Sequence, residues 1–246
     1  MSQEQKHLKK RYQKTAVAKK YIKKRFTDPV WQAEHDVQIK TINNFLKQQE
    51  PNLVLNLACG PGRITQDLKH VNRGVAADIS GAMLAEASRR LDHKKWKLKK
   101  VDAFNLPFPN NHFDAVISFR FIRHFRQTDR NKLLAEINRV LKPEGVLIFD
   151  ALNKNMQRNY YFEKFTVAFR PEAQGFFDAL WTIDSLHQEL EYNHLTITKI
   201  ISIINHPNLY VKLQKIFLKQ LSKKIIERLD YFKTKHNFEW IIMCKK

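Results

Sequence analysis

The stretch NLACGPGR, Asn56 to Arg63, holds two of the chain's six glycines. It lies between the apolar run Leu53-Val54-Leu55 and the segment Ile64 to Leu68. Glycine lets a backbone approach a ligand closely and take positive φ. A loop that leaves a strand and enters a helix presents its N–H groups to an anionic or polar ligand. Three readings are open: a phosphate cradle, a different cofactor loop, or a plain turn. The dinucleotide fingerprint Gly-x-Gly-x-x-Gly is missing, because Thr65 stands where the third glycine belongs. No Gly-Lys-Ser/Thr follows to hold a nucleotide phosphate. Asp78 ends the next apolar run, and a carboxylate at a second-strand tip can accept hydrogen bonds from both hydroxyls of a ribose. Asp102-Ala103-Phe104 ends the third run, where a carboxylate can receive an exocyclic amine and an aromatic ring can cover a purine. Met83 can pack on the other side of that ring. These types and spacings together imply a nucleoside-containing cofactor without a pyrophosphate.

The elements that must position these residues alternate. Strands are predicted at Leu53–Leu57, Gly74–Asp78, Trp96–Val101, Phe113–Phe119 and Val146–Leu152, with helices at Arg63–His70, Ala82–Leu91 and Thr128–Leu141. Lys142-Pro143-Glu144-Gly145 stops the last helix. Such alternation with short connections implies an α/β fold with a doubly wound, mostly parallel sheet covered on both faces. Ligands then bind beyond the carboxyl ends of the strands. Asp28-Pro29 starts a helix that runs to about Gln49, and residues 6–26 can form an amphipathic helix before it. Later come a helix at Ile183–Tyr192, a strand at Leu195–Ile204, a long lysine-faced helix between Tyr210 and Phe232, and a closing strand at Phe238–Cys244. The expectation is a single domain over residues 1–246. Residues 1–50 form a helical cap, 51–152 the cofactor-binding core, and 153–246 an acceptor-side segment.

The ordered pieces resemble the class I S-adenosylmethionine-dependent methyltransferases. VLNLACGPGR resembles the first motif of that family, AADISGAMLAEA its second-strand acid and helix, VDAFNLPFPNNHFDAVIS its adenine segment and fourth strand, and LLAEINRVLKPEGVLIFD its fifth helix and strand. The resemblance covers roughly residues 50–152, with an echo in Phe238-Glu239-Trp240-Ile241. It implies a seven-stranded Rossmann-like methyltransferase sheet with helical additions at both ends. S-adenosylmethionine is the implied donor and S-adenosylhomocysteine the product. By the same resemblance, Asn56, Ala58, Cys59, Gly60, Pro61 and Gly62 would line the methionine part of the donor. Asp78 would bind the ribose, with Ile79 and Met83 against the adenine and Asp102, Ala103 and Phe104 at its edge. Ser118, Phe119 and Arg120 would sit beside the sulfonium. Two positions depart from the family pattern: Asn56 replaces an acid and Ala58 a glycine.

Methyl transfer is an in-line displacement, so alignment is the main task, and a base is needed only where the acceptor must lose a proton. His124 in FRFIRHF is the candidate base; the alternative is that it packs the adjoining helix. Tyr160, Tyr161 and Arg170 are candidate acceptor contacts, and Tyr21, Arg25 and Trp31 a candidate lid. No metal is expected: Asp150 and Asn153 are too loosely spaced, and Cys59 and Cys244 are too few for a zinc site or a disulfide framework. The spacing Tyr160-x-x-x-Lys164 matches a dehydrogenase pair, yet lacks the glycine loop that goes with it. Neither a Pro-Cys pair nor an Asn/Asp-Pro-Pro-Tyr/Phe run is present, which disfavours pyrimidine C5 and base-amino methylation.

The net charge is +20, with basic clusters at residues 1–26, 89–100 and 212–235. Such a field steers anionic partners, although lysine-rich solvated helix faces explain it equally well. The aromatic stretch Tyr160 to Phe177 favours a small or lipid-like acceptor, and the lysine clusters favour the alternative, an RNA methyltransferase or a nucleic-acid-binding protein that keeps the fold without catalysis. No run approaches the ~18 apolar residues that span a bilayer, and the N-terminus lacks the apolar middle of a signal peptide. A cytoplasmic location is expected.

Overall fold

The computed structural model describes residues 29–155, 177–204 and 237–246, together with Lys6, Lys10, Tyr12, Gln13, Ile225 and Arg228. Tyr21, Arg25, Tyr160, Tyr161, Arg170, most of the two amphipathic segments near the termini and the side chain of Trp31 lie outside the described residues.

Helix α1 spans Pro29–Gln49. It is followed by β1 (Leu53–Leu57), β2 (Arg73–Asp78), α2 (Gly81–Ser88), β3 (Trp96–Lys100) and β4 (Phe113–Ser118). Next come α3 (Gln127–Val140), β5 (Leu141–Asn153), β6 (Leu180–Trp181), α4 (Ile183–Tyr192), β7 (Thr196–Ile203) and β8 (Glu239–Lys245). The strand order is β3-β2-β1-β4-β5-β8-β7, with β6 pairing β5 off that path. Strands β1 to β5 run parallel, and β8 lies antiparallel between β5 and β7. This is the mostly parallel sheet that the alternation implies.

The period-2 alternation of a strand sends successive side chains to opposite faces. In β1, Val54 joins the core beneath α1 with Ile42, Leu46 and Ala76. Leu55 and Leu57 join the opposite core with Leu133, Ile137, Leu186 and Leu190 of α3 and α4. Both faces of the sheet are thus covered, as parallel sheets require. A bidentate ion pair fastens α3 to α4: Arg130 Nε and Nη2 donate to Glu189 at 2.6 and 2.8 Å, and Trp181 Nε1 donates to the same carboxylate at 2.7 Å. Reciprocal hydrogen bonds between Thr182 and Ser185 cap α4.

Three elements depart from the sequence reading by more than one residue at a boundary. The helix expected at Arg63–His70 is only a 3-10 turn at Thr65–Asp67. Side chains from elsewhere capture the backbone that would extend it. Asn43 of α1 donates to the Asp67 carbonyl and accepts from the Lys69 N–H, while Lys95 Nζ donates to the Leu68 carbonyl. Helix α2 ends at Ser88, three residues before Leu91. Strand β5 begins at Leu141 rather than Val146, because the Lys142-to-Gly145 stretch is extended and forms the irregularity between the pairs Phe113–Leu141 and Ala115–Val146.

Candidate functional site

The strand order reverses between β1 and β4, and a cavity of about 140 Å³ opens at the carboxyl ends of the strands there. The glycine loop forms one side. Ala58, Gly60 and Gly62 all take positive φ, at 55°, 56° and 81°. Nothing lies within 4 Å of where a Cβ on Gly60 would stand, so the backbone there faces open space. Gly62 does not line the cavity; a Cβ there would come within 3.2 Å of Leu91 in the segment after α2, so this glycine serves packing. Asn56 is buried, and its Nδ2 donates to Thr65 Oγ1 at 2.8 Å, which ties the strand end to the turn beyond the loop.

Asp78, at the tip of β2, accepts from the Gly60 N–H through Oδ2 and from the Ser80 N–H through Oδ1, each at 2.8 Å. Burial pushes its carboxyl above the ordinary aspartate range, against the pull of the Ser80, Gly60 and Ile79 N–H groups. A carboxylate has about four lone-pair sites, so two remain for a ligand's hydroxyls. Ser80 caps α2 by accepting from the Met83 N–H at 3.2 Å, which sets Met83 in the wall beside Ile79. Ser80 Oγ also donates to the Tyr12 carbonyl at 2.6 Å, and Tyr12 lines the cavity. Asp102 Oδ1 accepts from the Phe104 N–H at 3.0 Å in the turn after β3.

At the tip of β4, Phe119 and Arg120 line the cavity and Ser118 does not. Ser118 is fully buried in the sheet. Arg120 takes a φ of 59°, and its N–H bonds the carboxylate of Asp150. Asp150 also bonds Arg123, so it braces the site; among the described residues no group of three or more acids, histidines and cysteines is arranged to hold a metal. His124 lines the cavity together with Phe104, Phe121 and Phe125. The rings of Phe104 and Phe121 each pack edge-on against Phe125 at 5.1 Å.

Of the residues singled out in the sequence, Asn56, Ala58, Cys59, Gly60, Pro61, Asp78, Ile79, Met83, Asp102, Ala103, Phe104, Phe119, Arg120 and His124 converge on this cavity, and Gly62 and Ser118 do not. The sequence reading missed Tyr12, Arg63, Phe121 and Phe125. The last two belong to FRFIRHF and carry an aromatic signal. Arg63 ends the glycine loop itself, whereas Tyr12 carries no signal, since tertiary docking brings it there.

Arg63 ties the loop to α1. Its Nη1 lies 2.8 Å from His35 Nδ1, and its Nη2 donates to Gln38 Oε1 at 3.0 Å. A guanidinium only donates, so His35 accepts at Nδ1 and carries its proton on Nε2, 2.8 Å from Asp67. Burial, then the Arg63 charge, lowers the pKa of His35 and keeps it neutral.

Comparison with known proteins agrees with this geometry. Residues 55–149 match the profile of the methyltransferase domain family. A demethylmenaquinone methyltransferase of Thermus thermophilus is 39% identical over 107 residues, which make up 41% of this chain and 47% of that protein. A human protein called "Probable tRNA methyltransferase 9B" is 32% identical over 134 residues, 52% of this chain and 28% of that one. The chain therefore spans less than half the length of either relative. Magnesium protoporphyrin IX methyltransferase from Synechocystis, crystallised with bound SAH, superposes with a TM-score of 0.58 at 13% identity, over 88% of this chain and 87% of that one, and shares the fold. The domain match over residues 55–149, the sheet and the ordered motifs together support a class I S-adenosylmethionine-dependent methyltransferase.

Proposed function

We propose that the protein transfers the methyl group of S-adenosylmethionine to a small, ring-bearing, largely apolar acceptor. The observation that carries this reading is the lining of one cavity, which brings the glycine loop, Asp78 and Asp102 together with Phe104, Phe119, Phe121 and Phe125. The donor's sulfonium makes its methyl carbon electrophilic. The chain's own groups bind, orient and exclude water. In this reading Asp78 holds the ribose hydroxyls, Asp102 takes the adenine amine, Met83 and Ile79 flank the purine, and the open backbone at Gly60 accepts the methionine end. The phenylalanines offer an apolar ring face to the acceptor.

Calorimetry with S-adenosylmethionine and S-adenosylhomocysteine tests donor binding. Losing hydrogen bonds to a charged group costs about 1.5–3 kcal/mol, so Asp78→Ala is expected to weaken binding by about 10- to 100-fold. Equal affinity in the two proteins refutes the ribose assignment. A labelled-methyl assay on cell-extract fractions identifies the acceptor; label appearing only in protein or RNA fractions refutes the small-acceptor reading.

A further inference from the structure

His124 lies at the end of the 3-10 turn Ile122–His124 that follows β4. Its Nδ1 is 3.0 Å from Asp178 Oδ1 and 3.3 Å from the Phe177 carbonyl oxygen. The Phe177 carbonyl accepts from Nδ1 and the Asp178 carboxylate stands at ion-pair distance from it, so the neutral ring that suits them carries its proton on Nδ1 and its lone pair on Nε2. Asp178 is held from behind by Arg123, whose Nε stands 3.3 Å away. Arg123 is completely buried; its Nη1 bonds Asp150 and, at 3.0 Å, Glu239. Glu239 also accepts from Gln38 at 2.9 Å, so the chain of contacts runs from Asp178 to α1 and on to Arg63 in the glycine loop. A base whose ring is oriented by a fixed carboxylate is the arrangement that proton removal needs.

We propose that His124 and Asp178 form a dyad in which His124 takes the acceptor's proton and Asp178 is its positioning residue. The acceptor class follows: a ring-borne, weakly acidic hydroxyl of the phenol type, not an amine or thioether that offers a lone pair without losing a proton. This rests on the methyltransferase reading above. In the step, the hydroxyl proton passes to Nε2 while an oxygen electron pair forms the new bond to the methyl carbon. The bond from that carbon to sulfur breaks, and its electron pair stays on sulfur, which becomes a neutral thioether. The imidazolium then faces Asp178 and gives its proton to water. The buried Arg123 stands among three carboxylates, Asp150, Asp178 and Glu239.

Two readouts on the full chain test the dyad. In ¹⁵N NMR of the histidine rings, with His124 assigned by its loss in His124→Gln, the neutral ring is expected to be protonated on Nδ1, and Asp178→Asn to remove that preference. A neutral ring protonated on Nε2 in the wild type overturns the proposal. The second readout uses labelled S-adenosylmethionine and two kinds of probe: nitrophenols, largely ionised at mildly alkaline pH, and alkylphenols, which are not. A general base contributes about 100-fold or more, so both variants are expected to lose that much on alkylphenols and far less on nitrophenols, with the KM for the donor unchanged. Equal losses on both probes overturn the base role, and no turnover of any phenol by a wild type that binds the donor overturns the acceptor class. Absence of donor binding in the wild type counts against the methyltransferase reading itself, while the ring tautomer still judges the dyad.

Discussion

Ala58 holds a φ of 55° in a loop where the family pattern has glycine. A side chain in the left-handed region costs about 1–2 kcal/mol, partly offset by the extra freedom glycine has in the unfolded chain. Ala58→Gly is therefore expected to stabilise the protein by about 0.5–1 kcal/mol, read as a higher urea midpoint at constant slope. An unchanged midpoint sinks the strain argument. Asp78 presents the opposite balance. Its carboxyl is raised by burial. A raised acid contributes stability below its unfolded pKa and loses it as pH rises through the folded value. Relative to Asp78→Asn, the wild type is expected to lose stability as pH climbs above the usual aspartate range, with the difference levelling off in acid. Donor binding draws on the same charged form, so the variant that flattens the pH curve is also expected to bind S-adenosylmethionine more weakly. Parallel pH curves for the two proteins contradict this account.

At the scale of elements, β2 and β3 meet through one close approach. Gly74 pairs with Trp96, and a Cβ on Gly74 would stand 2.2 Å from the Trp96 ring. Trp96 is buried beneath α2 in the same core as Val54 and Leu91. Gly74→Ala must therefore displace the indole or separate the strands, and overpacking of this kind costs about 1–3 kcal/mol. Chemical denaturation gives the size, and Trp96 fluorescence shows whether the ring has moved; native stability with native fluorescence refutes the close approach. The turn after the glycine loop belongs to this scale too. Residues 63–70 have helical spacing, but Asn43 and Lys95 take the carbonyls that would have carried the helix on. A short segment yields to such capture because its own hydrogen bonds are few.

Over the whole molecule, the +20 charge is its most unusual property. The exposed lysines Lys94, Lys97, Lys99 and Lys100 lie on and beside β3, the edge strand of the sheet. Lysines on an edge strand also prevent edge-to-edge pairing, which is a sufficient reason for them. A salt titration of RNA binding separates the two roles. If several lysines contact phosphates, affinity is expected to fall by about 10³-fold or more between low and moderate salt. No binding even at low salt removes RNA as a partner. Among the described residues no helix is long and apolar enough to cross a membrane.

The sheet was legible because β1, β4 and β5 hold short apolar runs buried on both faces, a pattern that survives without knowledge of the partner strands. β1 matches its predicted bounds, and α4 does too. The glycine loop, Asp78 and Asp102-Ala103 were legible as one group because each stands at the end of an apolar run, and the fold brings those ends to one cavity. What joins the site from a distance was not. Asp178 reaches His124, Tyr12 reaches Ser80, and Gln38 reaches both Arg63 and Glu239 only after the chain has folded. Local spacing carries no trace of such pairs. The sequence by itself determined which loop and carboxylates meet at the strand tips, because they stand at the ends of its apolar runs. The tertiary structure decided what holds His124, because a buried ion network is defined by which groups lose their water together.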